Sequence, residues 1–141
     1  MVELVWQKWF EVGHEAIDFE HKIFFTLIHK LQCVTAESED KAERRRVMEE
    51  IFKYADFHFT SEENIMQDSE YGNVDAHKTI HRNLLRDLRE AIAAYDVHSD
   101  NAEEIVTFLF NWLLEHTIYE DLNISKSVKE KQLRQFFKSA G

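Results

Sequence analysis

The sequence predicts an all-α fold in which four helices pack as an antiparallel, up-down bundle. Three observations support this class: the 141 residues include no proline and three glycines, apolar residues recur at helical spacing, and 44% of the chain is hydrophobic. A sheet protein of this length usually needs more turn residues, and a disordered chain has fewer apolar residues. We expect one domain over 1–141, since the chain is too short for two ordinary domains.

The elements are predicted from apolar spacing and from the polar segments between them. In order, they are an N-terminal aromatic arm (1–16), helices at about 17–37, 40–68, 74–95 and 101–120, and a short C-terminal tail or helix (123–141). The bundle itself is expected over 17–122. The helices would each be roughly 27 to 42 Å long at 1.5 Å per residue, and short connections favour antiparallel neighbours.

The first half of the chain contains the arm and the first predicted helix, and each has its own sequence signal. The arm holds the aromatic residues Trp6, Trp9 and Phe10, together with Gly13. An apolar series from Phe19 to Leu31 recurs at helical spacing, and the polar run 37–40 interrupts it. The first predicted helix therefore ends at that run.

The second half of the chain contains a turn, two predicted helices and the C-terminal tail or helix. The polar stretch 70–73 predicts the turn, since Gly72 can take a positive φ angle without steric cost. The third helix carries an apolar series from Ile80 to Tyr95, and the fourth has apolar residues at helical spacing over 105–113. The segment 125–138 is polar with scattered apolar residues, so we predict either a tail or a fifth helix there.

Charge and composition exclude several classes of function. The formal net charge is −10, which argues against a nucleic-acid binder or a protein that binds anionic membranes. The single cysteine, Cys33, cannot form an internal disulfide and suits a reducing compartment. No apolar run reaches the roughly 18 to 20 residues of a membrane helix. We expect a cytoplasmic protein without membrane insertion, and a monomer is compatible with these features.

Five of the eight histidines fall on the predicted inner faces of the four helices. His58 and Glu62 are spaced i, i+4, as are His77 and His81, and this spacing places two side chains on one helical face. His21 and His116 come from the other two helices, and His116 is followed by Glu120 and Asp121, one of which can supply a second carboxylate. A lone histidine on an apolar face is usually an ordinary core residue, but five buried imidazoles would leave many ring nitrogens unsatisfied.

The pattern therefore predicts metal ligation. Imidazoles with a few carboxylates suit zinc, iron, copper or nickel. Seven protein ligands are too many for one tetrahedral zinc ion but fit two metal ions that share bridging carboxylates. The remaining histidines, His14, His29 and His98, are expected not to be ligands.

At this point the sequence resembles the hemerythrin family, in its single-domain bacterial form. The resemblance covers about residues 6–122, and both the spacing and the order of the motifs agree. Its motif residues are Val12-Gly13, Ile17-Asp18, His21-Lys22, His58-Phe59-Thr60-Ser61-Glu62-Glu63, His77-Lys78-Thr79-Ile80-His81, Trp112-Leu113, His116 and Asp121.

The resemblance implies a site of two non-haem iron ions per chain, joined by an oxo or hydroxo bridge. His77, His81 and His116 would hold one iron, and His21 and His58 would hold the other, which keeps an open position. Glu62 and Asp121 would bridge the two ions.

The second bridging carboxylate is where periodicity and the resemblance differ. Periodicity alone favours Glu120, four residues after His116, whereas the resemblance favours Asp121. An ideal helix turns about 500° over five residues, so Asp121 would point away from His116. Asp121 can serve if the helix ends or widens there, for example in a π-type turn, and such turns occur often at functional sites.

The expected function is reversible dioxygen binding for transport, storage or delivery, rather than an enzymatic activity. Phe24, Phe59, Trp112 and Leu113 lie one to four residues from a predicted ligand, so they can form ordinary core, an apolar oxygen pocket, or both. Thr117 stands where the family usually has an aliphatic residue, and its hydroxyl could admit water or bond its own helix backbone. The alternative is a di-iron enzyme, repair protein or sensor that acts on peroxide, nitric oxide or iron–sulfur clusters.

Overall fold

The structure is a computed structural model that describes residues 5–97 and 102–140. These ranges contain a 3-10 turn (Lys8–Phe10), α1 (Glu15–Glu37), α2 (Lys41–Asp68), α3 (Val74–Val97), α4 (Ala102–Trp112), a π-helical segment (Leu113–Ile118) and α5 (Tyr119–Ala140). Among the described residues there is no strand, and the predicted all-α class is confirmed. A search of these residues for a bilayer-spanning helix finds none with the required length and hydropathy.

The helices pack as the predicted four-helix bundle. α1 lies against α2 and α4, α2 lies against α3, and α3 closes the ring on α4. The core between them is apolar, and its large, fully buried side chains include Phe24, Phe59, Leu88, Ile92 and Tyr95. Burial of such side chains is the main source of stability in a bundle of this kind.

The last helix is longer than the sequence indicates. A helix ending near residue 120 and then a tail or a fifth helix were expected; the last segment is helical, but α4, the π-helical segment and α5 follow one another without a break. Trp112 and Tyr119, at the two junctions, both keep right-handed helical dihedral angles (φ −60°, ψ −44° and φ −65°, ψ −46°). Residues 102–140 contain no glycine or proline, so nothing in this stretch stops a helix.

The N-terminal arm is fixed to the first helix by one carboxylate. Asp18 accepts hydrogen bonds from the backbone N–H groups of Val12 (2.7 Å) and Gly13 (3.1 Å). Gly13 takes a positive φ of 86°, which glycine adopts without strain. Phe10 is buried and its ring lies 5.1 Å from that of Trp6. The arm therefore extends the core instead of hanging free.

Two histidines expected to be non-ligands lie away from the interior cluster described below. His14 precedes α1, and its Nδ1 accepts a hydrogen bond from the backbone N–H of Ile17 (3.3 Å), which caps the helix. His29 is exposed and lies 3.8 Å from the sulfur of Cys33. The third, His98, lies outside the described residues.

The first residue of each of two apolar series is exposed. Phe19 is 64% exposed and Ile80 is 37% exposed, so neither belongs to the buried face that its series otherwise forms. The reason is angular: Phe19 is two residues before His21, or about 200° around the helix, and Ile80 is one residue, or about 100°, before His81. The inward position of each histidine turns its neighbour outward.

An arginine–carboxylate cluster joins α2 to α3 on the surface. Arg89 donates to both oxygens of Glu49 (2.9 and 3.0 Å), and Arg45 donates to one of them (2.8 Å). These bonds from Arg89, and then from Arg45, lower the pKa of Glu49 to about 2. Two-pronged pairs of this geometry are the stronger class of surface ion pair.

Replacing Glu49 tests this cluster. We expect Glu49→Gln to lower the free energy of unfolding by ~1 kcal/mol at pH 7. Because the pKa is lower in the folded state, the stabilisation is present above the ordinary value of 4.5 and is lost as the pH falls toward about 2. Urea unfolding from pH 7 to pH 3 should show the gap between variant and parent narrowing below about pH 4.5.

Glu50→Gln is the matched control, since Glu50 forms a single exposed pair with Lys30 (2.9 Å). It should cost less than about 0.5 kcal/mol. An equal loss in both variants, or a gap for Glu49→Gln that grows in acid, contradicts the assignment.

Candidate metal centre

The interior of the bundle holds a cluster of imidazoles and carboxylates. Its potential ligand atoms fall into two groups, each with all atoms within 4.8 Å of one another. The first group combines His21 and His58 with Glu62 and Asp121; the second consists of His77, His81 and His116. These are the seven side chains that the sequence and the resemblance singled out.

Every side of the bundle contributes to the cluster. His21 comes from α1, the pair His58 and Glu62 from α2, and the pair His77 and His81 from α3. His116 lies in the π-helical segment and Asp121 in α5. The i, i+4 pairs face inward as their spacing requires, and all of these side chains are buried except His116, which is half-buried.

In the first group, imidazole nitrogens face carboxylate oxygens at close range. His21 Nε2 lies 2.7 Å from Asp121 Oδ2, and His58 Nε2 lies 2.6 Å from Glu62 Oε1. The crossed distances are longer, at 3.7 Å from His21 Nε2 to Glu62 Oε1 and 3.8 Å from His58 Nε2 to Asp121 Oδ2. Two nitrogens and two oxygens thus surround one small space.

Glu62 connects the two groups. Its Oε1 faces His58, whereas its Oε2 lies 3.3 Å from His81 Nε2 in the second group. The two oxygens of one carboxylate therefore point toward different sets of histidines. A carboxylate in this position can bind two cations at once.

Unsatisfied polar atoms test whether this chain fits a metal ion. Buried polar atoms in proteins almost always have a hydrogen-bond partner. Among the described residues, seven buried ligand atoms have none: His58 Nε2, His77 Nε2, His81 Nε2, His116 Nε2, Asp121 Oδ1 and both oxygens of Glu62. These atoms approach one another without bonding, which is the arrangement expected of donors that share a cation. The donor set fits metal ligation.

The electrostatics of the cluster point the same way. Burial, with the nearby charge of Glu62, raises the pKa of Asp121 to about 7. Burial, with the neighbouring His81 and His77, lowers the pKa of His116 to about 4. Two adjacent buried carboxylates are costly as anions, but a cation between them favours ionised carboxylates and unprotonated imidazoles. A bound metal ion would balance the charge of the two carboxylates and would bind the unprotonated imidazole nitrogens.

Three further polar side chains support the cluster from outside. Glu20 Oε1 lies 2.8 Å from His58 Nδ1, and Ser61 donates a hydrogen bond to Glu20 Oε2 (2.7 Å). Glu63 Oε2 lies 2.8 Å from His81 Nδ1. A carboxylate at Nδ1 keeps the proton on that nitrogen and leaves Nε2 free as a metal ligand.

Sequence reasoning missed these roles of Glu20, Ser61 and Glu63, although Ser61 and Glu63 stand in the motif around Glu62. The available signal was that Glu20 directly precedes His21 and that Ser61 and Glu63 flank Glu62. Such adjacency is common in a chain with 27 acidic residues, and only the packing of α1 against α2 brings Glu20 to His58.

The π-helical segment explains how Asp121 enters the cluster. It covers Leu113–Ile118, so it includes His116 and ends just before Asp121. A π-turn has more residues per turn than an α-helix, which brings a residue five positions later onto the same side. Asp121 is fully buried in the first group, whereas Glu120 is half-buried and belongs to neither group.

An apolar wall lies beside His58 of the first group and His81 of the second. The ring of Phe24 lies 6.3 Å from that of His58, and Phe59 stacks on His81 at 4.0 Å. Trp112 joins them, at 5.6 Å from Phe24 and 5.5 Å from Phe59. Leu113 is also fully buried. These residues exclude water from the side of the cluster where His58 lies.

Thr117 is buried, but its hydroxyl is already engaged. It donates a hydrogen bond to the backbone carbonyl of Leu113, four residues earlier. This is the helix-backbone alternative considered from the sequence. The hydroxyl is therefore not a free donor toward the cluster.

Comparison with known proteins agrees with this architecture. Residues 12–125 match the family model described as the hemerythrin HHE cation binding domain. A bacteriohemerythrin of Stenotrophomonas maltophilia is 29% identical over 96% of this chain and 88% of its own. A bacteriohemerythrin of Pseudomonas aeruginosa is 30% identical (92% and 84%), and a myohemerythrin of Theromyzon tessulatum is 32% identical (79% and 82%).

A solved structure supports the fold. The crystal structure of a hemerythrin mutant superimposes with a TM-score of 0.68 and covers 89% of this chain and 99% of that one, at 22% sequence identity. The family match includes all seven residues of the cluster, from His21 to Asp121. By fold, by sequence and by its interior group of candidate metal ligands, the chain belongs to the hemerythrin family.

Proposed function

We propose that the cluster holds two iron ions and that the protein binds dioxygen reversibly, as a carrier or store. The observation that carries this proposal is the set of buried, unpartnered donor atoms divided into two groups with Glu62 between them. Ferrous iron, when bound, would supply electrons that transfer reversibly to dioxygen. The family's relatives named bacteriohemerythrin and myohemerythrin support iron and oxygen over other metals and ligands.

The two groups differ in the number of histidine ligands that they can supply. His77, His81 and His116 supply three nitrogens on one side, whereas His21 and His58 supply two on the other. Glu62 and Asp121 are proposed to serve both sides as bridges. The side with fewer protein ligands is proposed to keep room for a small molecule, and Phe24 of the apolar wall lies next to its His58.

The wall and the outer carboxylates favour binding over further reaction. Phe24, Phe59 and Trp112 keep water and protons away from the pocket. Glu20 and Glu63 fix the orientation of His58 and His81, so the ligand atoms need little rearrangement. The engaged hydroxyl of Thr117 adds no free proton donor to this wall.

Metal analysis joined to an optical titration tests the proposal. We expect about two iron ions per chain, with a visible absorption band that appears in air and disappears when oxygen is removed, over repeated cycles. One metal ion per chain contradicts the two-iron assignment. Irreversible oxidation on first exposure contradicts the carrier function and favours the alternative of an enzyme or repair protein.

A pair of single substitutions tests the ligand set. His77→Ala removes a buried donor of the second group, so iron retention against a chelator should weaken by at least about tenfold. His29→Ala is the matched control, because His29 is exposed on α1 outside both groups. Circular dichroism should show both variants to be helical. Equal iron retention in the two variants would exclude His77 as a ligand.

A further inference from the structure

The charge of this chain is unevenly distributed. Residues 126–141, which we name the C-terminal segment, carry five basic residues and one acidic residue, a net charge of +4. The remaining residues carry twelve basic and 26 acidic residues, a net charge of −14. The total of −10 is therefore the sum of a basic C-terminal segment and an acidic remainder. The total charge argues against contact between the acidic part and an anionic membrane, but it does not exclude such contact by the basic segment.

The same segment exposes its large apolar side chains. Leu133 is 56% exposed, Phe136 63% and Phe137 69%. The two phenylalanine rings lie 5.7 Å apart, so they form one small apolar patch. Among the described residues, no ring outside the segment contacts this pair. The free energy of leaving three such side chains in water favours a partner that covers them.

The side of the helix on which they lie is set by the bundle. Val128, Gln132 and Gln135 line a crevice against Ile65 and Ser69 of the bundle, which fixes the inner side of this part of α5. Phe136, Leu133 and Phe137 fall within an arc of about 100° on the outer side, whose centre is about 120° around the helix from those inner positions.

Basic residues share that outer side or border it. Lys126 lies on the outer side two turns before Leu133, and Arg134 and Lys138 begin about 60° beyond Phe137, whereas Lys129 lies over Gly13 of the N-terminal arm. Within the described residues, Lys126, Arg134 and Lys138 form no ion pair. Their charges are therefore available to an anionic partner.

The size of the apolar patch and the charge around it distinguish between a second protein molecule and a lipid surface as its partner. Three side chains fall well short of the roughly 800 Å² per partner that a stable protein interface buries. A second copy that paired through the same segment would also bring two +4 charges together. A short helix with aromatic and leucine residues on one side and nearby lysines is instead the pattern that lies in the interface of an anionic bilayer.

We propose that the C-terminal segment is a peripheral docking element for anionic phospholipid surfaces. Leu133, Phe136 and Phe137 enter the headgroup region, and Lys126, Arg134 and Lys138 contact lipid phosphates. The acidic bundle faces away from the membrane, since it is repelled by the same surface. This proposal is independent of the metal centre.

Vesicle flotation with the full-length, iron-loaded protein tests the proposal. We expect binding to phosphatidylglycerol-containing vesicles and at least about tenfold weaker binding to pure phosphatidylcholine vesicles. Raising the salt from about 0.1 to 0.5 M should weaken the binding, because screening shortens the reach of the charges. The double variant Phe136→Ser, Phe137→Ser and the double variant Lys126→Glu, Lys138→Glu should each lose at least about tenfold in affinity.

Matched controls lie on the bundle. Phe19→Ser removes an equally exposed aromatic residue, and Lys53→Glu reverses an exposed charge on α2. Both should bind vesicles as the parent does. The proposal is overturned if the parent does not bind anionic vesicles, or if the tail variants bind as well as the controls. Light scattering that shows a dimer abolished by Phe136→Ser, Phe137→Ser would assign the segment to a second copy instead.

Discussion

The rest of the structure depends on two carboxylates that are buried side by side in an apolar core. Glu62 and Asp121 are both at most 1% exposed, and imidazoles surround them. Such a group is expensive in a dry interior unless a cation or a proton balances the charge. The unpartnered nitrogens of the same cluster are the complement that a cation needs. The bundle thus keeps a buried polar cluster that its apolar core alone would not favour.

Much of the architecture serves to hold this cluster rigid. The i, i+4 pairs on α2 and α3 deliver four ligand candidates from two helices, and Glu20 and Glu63 hold two imidazoles from outside. The π-helical segment lets one helix supply both His116 and Asp121, although an α-helix would direct them apart. Local irregularity in an otherwise regular helix is then part of the site.

The sequence is sufficient for the fold class and for the core of the cluster, because both follow from local periodicity. The pairs His58–Glu62 and His77–His81 are one helical turn apart, so their shared face needs no tertiary information. Asp121 could not be chosen by periodicity, since the π-helical geometry departs from the period that the argument assumes.

What the sequence could not reveal depends on tertiary packing. Glu20 reaches His58 only because α1 packs on α2. Phe19 looked like a core residue because it is aromatic, but the position of His21 turns it outward. The length of the last helix was underestimated for a related reason: polar residues after 120 suggested an end, although no residue there breaks a helix.

The most direct test of the central claim is an anomalous-scattering map from crystals of the iron-loaded protein. The account predicts two iron peaks about 3.5–4 Å apart, with Glu62 and Asp121 each in contact with both and His58 on the side next to Phe24. A single peak, or two peaks in which Asp121 contacts neither ion, would contradict it.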